Sequence, residues 1–354
     1  MQKWNSLLGA SDSPAPPHSA TEAQTLVAAV YQLAFRRAPD PEGQASYVGR
    51  LVSGSLSCAQ FIAEILASEE FTTARGHQNF WTSDHANRYL SDSVRQLNGR
   101  LNIDTACLTT QYENAWKSIF IDSASSLIIG QQEYGLQHKR RFYELIHGIE
   151  VLSQSFAIES LLEVGPSEFT RLYRYYFPKI NVSTLDRPVH DGYIGFTPQV
   201  CLERLGSRQH FSVDLSKPPK EADAFWQGAQ HDLVLLCEVL EHLTVHPKDL
   251  LAFMKAGLRP GGLLYLTTPN FLRQENIEKI RRAENPQALY PAGEDNWDAH
   301  HHYREYLMGE LLDLVHDSGL TILAFYFSDC WDEIKSHRRP DDALGNLVLV
   351  AQKP

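Results

Sequence analysis

His231-Asp-Leu-Val-Leu-Leu-Cys-Glu-Val-Leu-Glu-His-Leu243 decides how this chain is read. The apolar run Leu233 to Leu236 has the length of a strand and passes directly into Glu238, Glu241 and His242. An open parallel sheet carries its ligand crevice at the C-terminal ends of its strands, so these polar residues mark a site edge. Downstream, Leu258-Arg-Pro-Gly-Gly-Leu-Leu-Tyr-Leu-Thr-Thr-Pro-Asn270 reads as a helix end, a tight turn, a buried strand and another edge loop.

On both sides of this segment, short apolar runs alternate with helical stretches: Leu161 to Val164, Ile180 to Leu185, His210 to Val213, Leu263 to Thr267, Ile322 to Phe327 and Leu347 to Val350. Such alternation predicts helices flanking a mostly parallel sheet. Pro247 suits the first position of a helix carrying Leu250, Leu251 and Met254, and Gly319 closes one carrying Leu307, Leu311, Leu314 and Val315. Asp329 to Ala343 holds Pro340, many charges and little apolar periodicity, so it does not read as a crossover helix, and the final pair of strands is expected to be antiparallel. The fold class expected is α/β: a Rossmann-like, seven-stranded, mostly parallel sheet with an antiparallel last strand, behind a small N-terminal all-α module.

That module is placed at residues 21–75, after a Ser/Pro/Ala-rich leader over 1–20 that reads as disordered, and is followed by a helical connector over 76–130. Ser19-Ala-Thr-Glu22 has capping-box spacing and opens a helix with Leu26, Val27, Val30, Tyr31 and Ala34 on one face. The prolines of Ala38-Pro-Asp-Pro-Glu-Gly43 turn the chain and start a second helix that ends near Gly54. Ser57-Cys-Ala-Gln60 repeats the cap before Phe61, Ile62, Ile65 and Leu66. Further on, Gln137 to Ile146 reads as an amphipathic helix whose basic run is a solvated face, with a lid or acidic-partner contact as the other reading.

At about 150 residues per domain, the 354-residue length fits two domains or three. Hydrophobic residues are 43% and charged residues 21%, values of a chain that buries real cores. The 43 acidic against 32 basic residues leave a net charge of -11, which argues against nucleic acid and anionic lipid as partners. No stretch reaches the roughly 18 uninterrupted apolar residues of a membrane span. Five scattered cysteines without a CxxC pair read as small buried hydrophobes and point to the cytoplasm.

The first strand ends in Leu161-Leu-Glu-Val-Gly-Pro-Ser-Glu-Phe169, where Gly165 lets the backbone pass close to a ligand and Glu163 is placed to reach a ligand ammonium. A dinucleotide site needs G-x-G-x-x-G, and the single glycine here counts against nicotinamide and flavin cofactors. Asp186 follows Gly165 by 21 residues, at the end of the second run, where a carboxylate accepts both ribose hydroxyls. Asp214 with Leu215 ends the third strand and suits an adenine amino group and ring; a polar turn before Pro218 explains the same residues equally well.

Taken together, residues from about 131 to 354 resemble a class I S-adenosylmethionine-dependent methyltransferase, through LLEVG, Asp186, VDL at 213–215, DLVLLCEVLEHL, LRPGGLLYLTTPN and HHYREY in order. The resemblance implies S-adenosylmethionine as cofactor, with Glu163 and Gly165 at its methionine part, Asp186 on ribose and Asp214 with Leu215 on adenine; Glu238 joins this cofactor-binding set. Ser167 and Phe169 stand where the family has its second and third loop glycines. Ser167 retains an amide and a hydroxyl to offer, and Phe169 is compatible with entry into the core. The N-terminal module resembles a bacterial domain of unknown function found beside glycosyltransferases and methyltransferases, through Tyr31 to Gly43 and Ala67-Ser-Glu-Glu-Phe71.

Methyl transfer from a sulfonium is an in-line displacement, and a hydroxyl acceptor must also lose its proton. His242 is the candidate general base; capping a helix or bonding Glu241 would account for it as well. In Asp298-Ala-His-His-His-Tyr-Arg-Glu-Tyr306, His302 is the second candidate catalytic residue, with Arg304 and Tyr306 as further acceptor contacts. No metal is expected, because consecutive histidines diverge and no neighbouring carboxylate or cysteine completes a ligand set. The resulting expectation is an O-methyltransferase for a small-molecule or glycan acceptor in bacterial polysaccharide biosynthesis, with a protein partner at the helical module. The alternative is a non-catalytic adaptor with a degenerate methyltransferase fold.

Overall fold

The computed structural model describes residues 19–35, 38–68, 84–103, 105–121, 127–128, 130–189, 196–287, 301–330 and 344–354. Most of the expected leader and the whole of 331–343 lie outside these residues. The chain divides into two units, Met1–Gln78 and Asn79–Pro354, so the expected connector groups with the larger unit.

In the first unit, α1 (Ala20–Phe35), α2 (Pro41–Val52) and α3 (Cys58–Ala67) form where the caps place them. Ser19 and Glu22 exchange hydrogen bonds at 3.0 and 3.3 Å, Asp40 caps α2, and Ser57 with Gln60 closes a capping box. Val27, Tyr31, Leu51, Phe61 and Ile65 are buried together. Ile62 is 41% exposed, contrary to the expected apolar face, because it lies one residue and about 100° around the helix from Phe61.

After one helical turn at Asp84–Asn87, the second unit continues with α4 (Asp92–Leu101), α5 (Thr105–Trp116) and the long α6 (Gln131–Ser153). Then follow β1 (Ser160–Val164), α7 (Thr170–Tyr176), β2 (Asn181–Asp186), β3 (Gln209–Ser212), β4 (His231–Cys237), α8 (Pro247–Ala256) and β5 (Leu258–Pro269). After β5 come α9 (Gln274–Arg281), α10 (Met308–Asp317), β6 (Thr321–Ser328) and β7 (Asn346–Gln352), and short helical turns fill several of the connections. All seven expected runs are strands. They form one sheet in the order β3-β2-β1-β4-β5-β7-β6, and β7 runs antiparallel to both its neighbours.

Both faces of the sheet are covered, which is why Leu233 to Leu236 of β4, Leu263 to Leu266 of β5 and Leu347 to Ala351 of β7 are apolar without polar alternation. Leu162, Val164, Val234, Leu236 and Leu264 pack with Leu251 and Met254 of α8 and Leu311 and Val315 of α10. Leu161, Leu233, Leu235 and Tyr265, on the opposite face, pack with Leu101 of α4 and Leu145, Ile149 and Leu152 of α6. The chain enters at β1, steps outward to β3 and returns to β4. This reversal between β1 and β4 opens a crevice at their C-terminal ends, beside Gly165 and Glu238.

Candidate functional site

A cavity of about 590 Å³ occupies that crevice, and Gly165, Asp186, Asp214, Leu215, Glu238 and His242 line it. Its size is that of a pocket for a small molecule or nucleoside-sized ligand. Gly165 leaves β1 with φ +72° and donates its amide to Leu185 O at 2.9 Å; a Cβ here would stand 3.2 Å from Val239 Cγ2. Asp186 ends β2, and its Oδ1 accepts the amide of Arg187 at 2.8 Å. Asp214 is both turn and wall: it is exposed, its Oδ1 accepts Ser216 N at 3.0 Å, and Leu215 beside it is buried.

Glu163 and Ser167 do not line this cavity. They line a second one of about 110 Å³, which shares Gly165, Glu238 and Val239 with the first. Glu163 is buried and accepts the hydroxyls of Thr170 and, at 3.1 Å, Tyr173; burial pushes its carboxyl up to about 8. The Ser167 amide is taken by Thr170 Oγ1 at 3.4 Å, and Ser167 Oγ accepts Phe169 N at 3.2 Å, keeping only its hydroxyl hydrogen to donate. Phe169 is fully buried against Phe142, as a core residue of the α6 packing.

Two further features were not legible from spacing. Arg141 is buried and lines the smaller cavity, its Nη2 donating to Tyr134 OH at 2.7 Å and its Nη1 lying 3.8 Å from Glu238 Oε2. The expected solvated face of the basic run therefore fails at Arg141, while Lys139 and Arg140 pair with Glu113 and Asp329. Glu238 adopts φ 56°, a left-handed conformation that costs a non-glycine residue about 1 kcal/mol or more. Its Oε1 accepts Thr267 Oγ1 at 2.6 Å and Asn346 Nδ2 at 3.0 Å, which ties the strained turn to β5 and β7.

At the far wall, β4 and the loop before α10 meet. Tyr303 N donates to Glu241 O at 2.8 Å, and Phe271 N donates to Tyr306 O at 3.0 Å, so residues 301–306 are laced onto the sheet edge. His242 Nδ1 lies 2.9 Å from His301 O, and the His242 and His302 ring centroids are 4.8 Å apart at 76°. His302 Nδ1 lies 2.7 Å from Glu305 Oε1, while Arg273 and Asn276 donate to the other oxygen. Glu241 is buried; Thr268 Oγ1 donates to its Oε2 at 3.0 Å, and its Oε1 has no hydrogen-bond partner among the described residues. Burial and the nearby Glu238 charge hold this carboxyl well above the usual range. Glu241, His242 and His302 place a side-chain N or O atom each within 4.8 Å of one another, because the loop folds back on β4.

Among known proteins, the model of a family described as "Methyltransferase domain" matches residues 136–324, more than half of the chain. The chain belongs to this methyltransferase-domain family, and its sheet has the order and reversed last strand of the S-adenosylmethionine-dependent methyltransferase fold. A domain of unknown function, DUF4214, matches residues 9–74. A ubiquinone biosynthesis O-methyltransferase of Roseobacter denitrificans is 31% identical over 132 residues, 36% of this chain. The chain spans about half the length of that relative, 50%. Similar solved structures include the Burkholderia thailandensis 1,6-didemethyltoxoflavin-N1-methyltransferase with bound S-adenosylhomocysteine, at 18% identity and TM-score 0.33 over 63% of this chain and 90% of that one. An O-methyltransferase family protein from Burkholderia thailandensis is 14% identical, with TM-score 0.36 over 94% of both chains.

Proposed function

We propose that this protein is an S-adenosylmethionine-dependent methyltransferase acting on a hydroxyl of a sugar or glycan-related acceptor in bacterial cell-surface polysaccharide biosynthesis. The observation that carries the cofactor reading is the donor set around the larger cavity. Gly165 presents bare backbone, Asp186 and Asp214 present carboxylates at adjacent strand ends, and Leu215, next to Asp214, presents an apolar face. Such a wall suits a ligand with a ribose diol and an adenine ring, and its carboxylates disfavour a pyrophosphate. When bound, S-adenosylmethionine supplies a methyl group on an electrophilic sulfonium. Asp186 would bind the ribose and Asp214 with Leu215 the adenine. Glu163, Ser167 and Glu238, with Arg141, would surround the methionine end from the smaller cavity.

His242 lines the cavity and His302 packs against its ring from behind, and at His242 the proton of a hydroxyl acceptor would be drawn off. Tyr303, 40% exposed on the same wall, offers an aromatic face for a sugar ring. The glycan assignment also draws on the company kept by domains like the N-terminal one, which we read as a module for a protein partner. Among the described residues no helix is long and apolar enough to cross a membrane. The scattered cysteines of the sequence, without a CxxC pair, are the basis for proposing a cytoplasmic site of action.

Calorimetric titration of S-adenosylmethionine into the full chain and into Asp186→Ala tests this reading. Wild type is expected to bind, and the variant to bind about 10- to 100-fold more weakly through loss of charge-assisted hydrogen bonds. A folded wild type that does not bind would leave the adaptor reading in its place, and equal binding by both would remove Asp186 from the site.

A further inference from the structure

We infer that Glu168 and Arg204 form a clasp that fixes the loop after β1, in which Ser167 and Phe169 stand in place of glycines, in the shape that receives the amino-acid end of the cofactor. Both are positioning residues, since neither lines a cavity. Their role rests on the cofactor reading of the crevice and sharpens it at the smaller cavity.

Glu168 is fully buried, a place where a carboxylate is found only with partners. Its Oε1 lies 2.6 Å from Arg204 Nη2 and accepts the amide of Ile128 at 3.1 Å, while its Oε2 lies 3.6 Å from Arg171 Nη1. The Glu168 amide in turn donates to Gln131 Oε1 at 3.3 Å. This one loop residue thereby joins the start of α6, through Ile128 and Gln131, to the helical turn Val200–Arg204 that follows β2. A buried charge is kept in place only where partners make up for its lost hydration, so removal of the Arg204 guanidinium would loosen the loop at this point.

The segments joined in this way are those that carry the site. The loop presents Gly165 and Ser167, α6 presents Tyr134 and Arg141, and the end of β2 presents Asp186. Ser167, the neighbour of Glu168, lines the smaller cavity. Gly165 is the one residue of 165–169 with a positive φ, so beyond it the path of the loop is set by side-chain contacts and not by glycine turns. Those contacts are Ser167 with Thr170, Phe169 on Phe142 and Glu168 with Arg204, and the last of them reaches the β2 side of the crevice. A misplacement of about 1 Å in such a wall can cost on the order of 100-fold where a ligand must be held in register.

Calorimetric titration of the full chain with S-adenosylmethionine and with methylthioadenosine, which keeps the nucleoside but lacks the amino-acid end, tests the clasp. Arg204→Ala, a change at a side chain 31% exposed, is expected to weaken S-adenosylmethionine about 10- to 100-fold and methylthioadenosine less than about twofold. Arg204→Lys is expected to recover part of the loss, because a point charge can make a single contact. Glu168→Gln, which retains an acceptor for the Ile128 amide, is expected to behave as Arg204→Ala does. Amide hydrogen exchange over residues 164–170 of the ligand-free chain is the second readout and is expected to rise about tenfold in Arg204→Ala. The clasp is refuted if Arg204→Ala binds S-adenosylmethionine as wild type does, if its exchange is unchanged, or if both ligands weaken in equal proportion, the result of a general loosening of the fold. A wild type that binds neither ligand sinks the cofactor reading and the clasp's role with it, whereas a failure confined to the variants sinks the clasp alone.

Discussion

Phe169 stacks face to face on Phe142, with ring centroids 3.3 Å apart and planes 1° from parallel. This contact explains why a position that is glycine in the resembling cofactor loops carries a large aromatic residue here. The side chain points away from the crevice into a cluster that also holds Trp116, Phe120 and Tyr143, so the cluster gains an anchor without obstructing the cavity. Phe169→Gly is accordingly expected to destabilise the larger unit by about 3–5 kcal/mol, the usual loss on emptying a buried aromatic site, without tightening S-adenosylmethionine binding. Denaturant unfolding and calorimetry would check the two halves of this statement, and a tighter-binding variant would contradict it.

Gly165 is the retained loop glycine, and the structure requires it. With φ +72° any side chain is strained, and an alanine Cβ would press on Val239 at 3.2 Å. Gly165→Ala should lower stability by about 1–2 kcal/mol and weaken cofactor binding more than that loss accounts for, since the new methyl lies at the junction of both cavities. Binding as tight as that of wild type would show that the ligand does not approach this turn.

His231, buried at the start of β4, provides a test of pH dependence away from the site. Burial, aided by Arg259, lowers its imidazole from 6.5 to about 4. The folded protein therefore keeps the ring neutral while the unfolded chain takes up a proton below 6.5. Stability contributed by His231 is complete above pH 6.5, falls as the pH drops toward 4, and changes no further below that. The shift corresponds to about 3 kcal/mol at most. Urea melts at pH 7 and pH 4.5 should show a loss that His231→Phe reduces; an unchanged loss would assign it to other groups.

Much of the fold could be read locally. Ser19 with Glu22, Asp40, and Ser57 with Gln60 cap helices by bonds that span only three residues. The runs Leu161 to Val164 and Leu233 to Leu236 are strands because a sheet covered on both faces excludes polar side chains from its centre. Asp186, Asp214, Leu215 and Gly165 were legible for a related reason: the topology sends every parallel strand to the same edge, so a residue's position after its strand also gives its position at the cavity.

Other features depend on contacts between distant segments. Nothing in Gln137 to Ile146 distinguishes Arg141 from Lys139 or Arg140; its burial follows from how α6 packs near the end of β4, where Glu238 supplies a counter-charge. Glu163 was correctly placed at the end of β1, but the hydroxyls of Thr170 and Tyr173 turn it into the smaller cavity. His302 comes to lie beside His242 and Glu241 because the backbone of 301–306 is hydrogen-bonded to Glu241, His242 and Phe271, as in Tyr303 N to Glu241 O across some 60 residues. Sequence alone determined the strands, the caps and the family, because these depend on short-range pattern and burial. Tertiary structure decided which charges are paired, which carboxylates are buried and which side chains converge at the acceptor wall, because long-range packing sets their separation and their exposure to water.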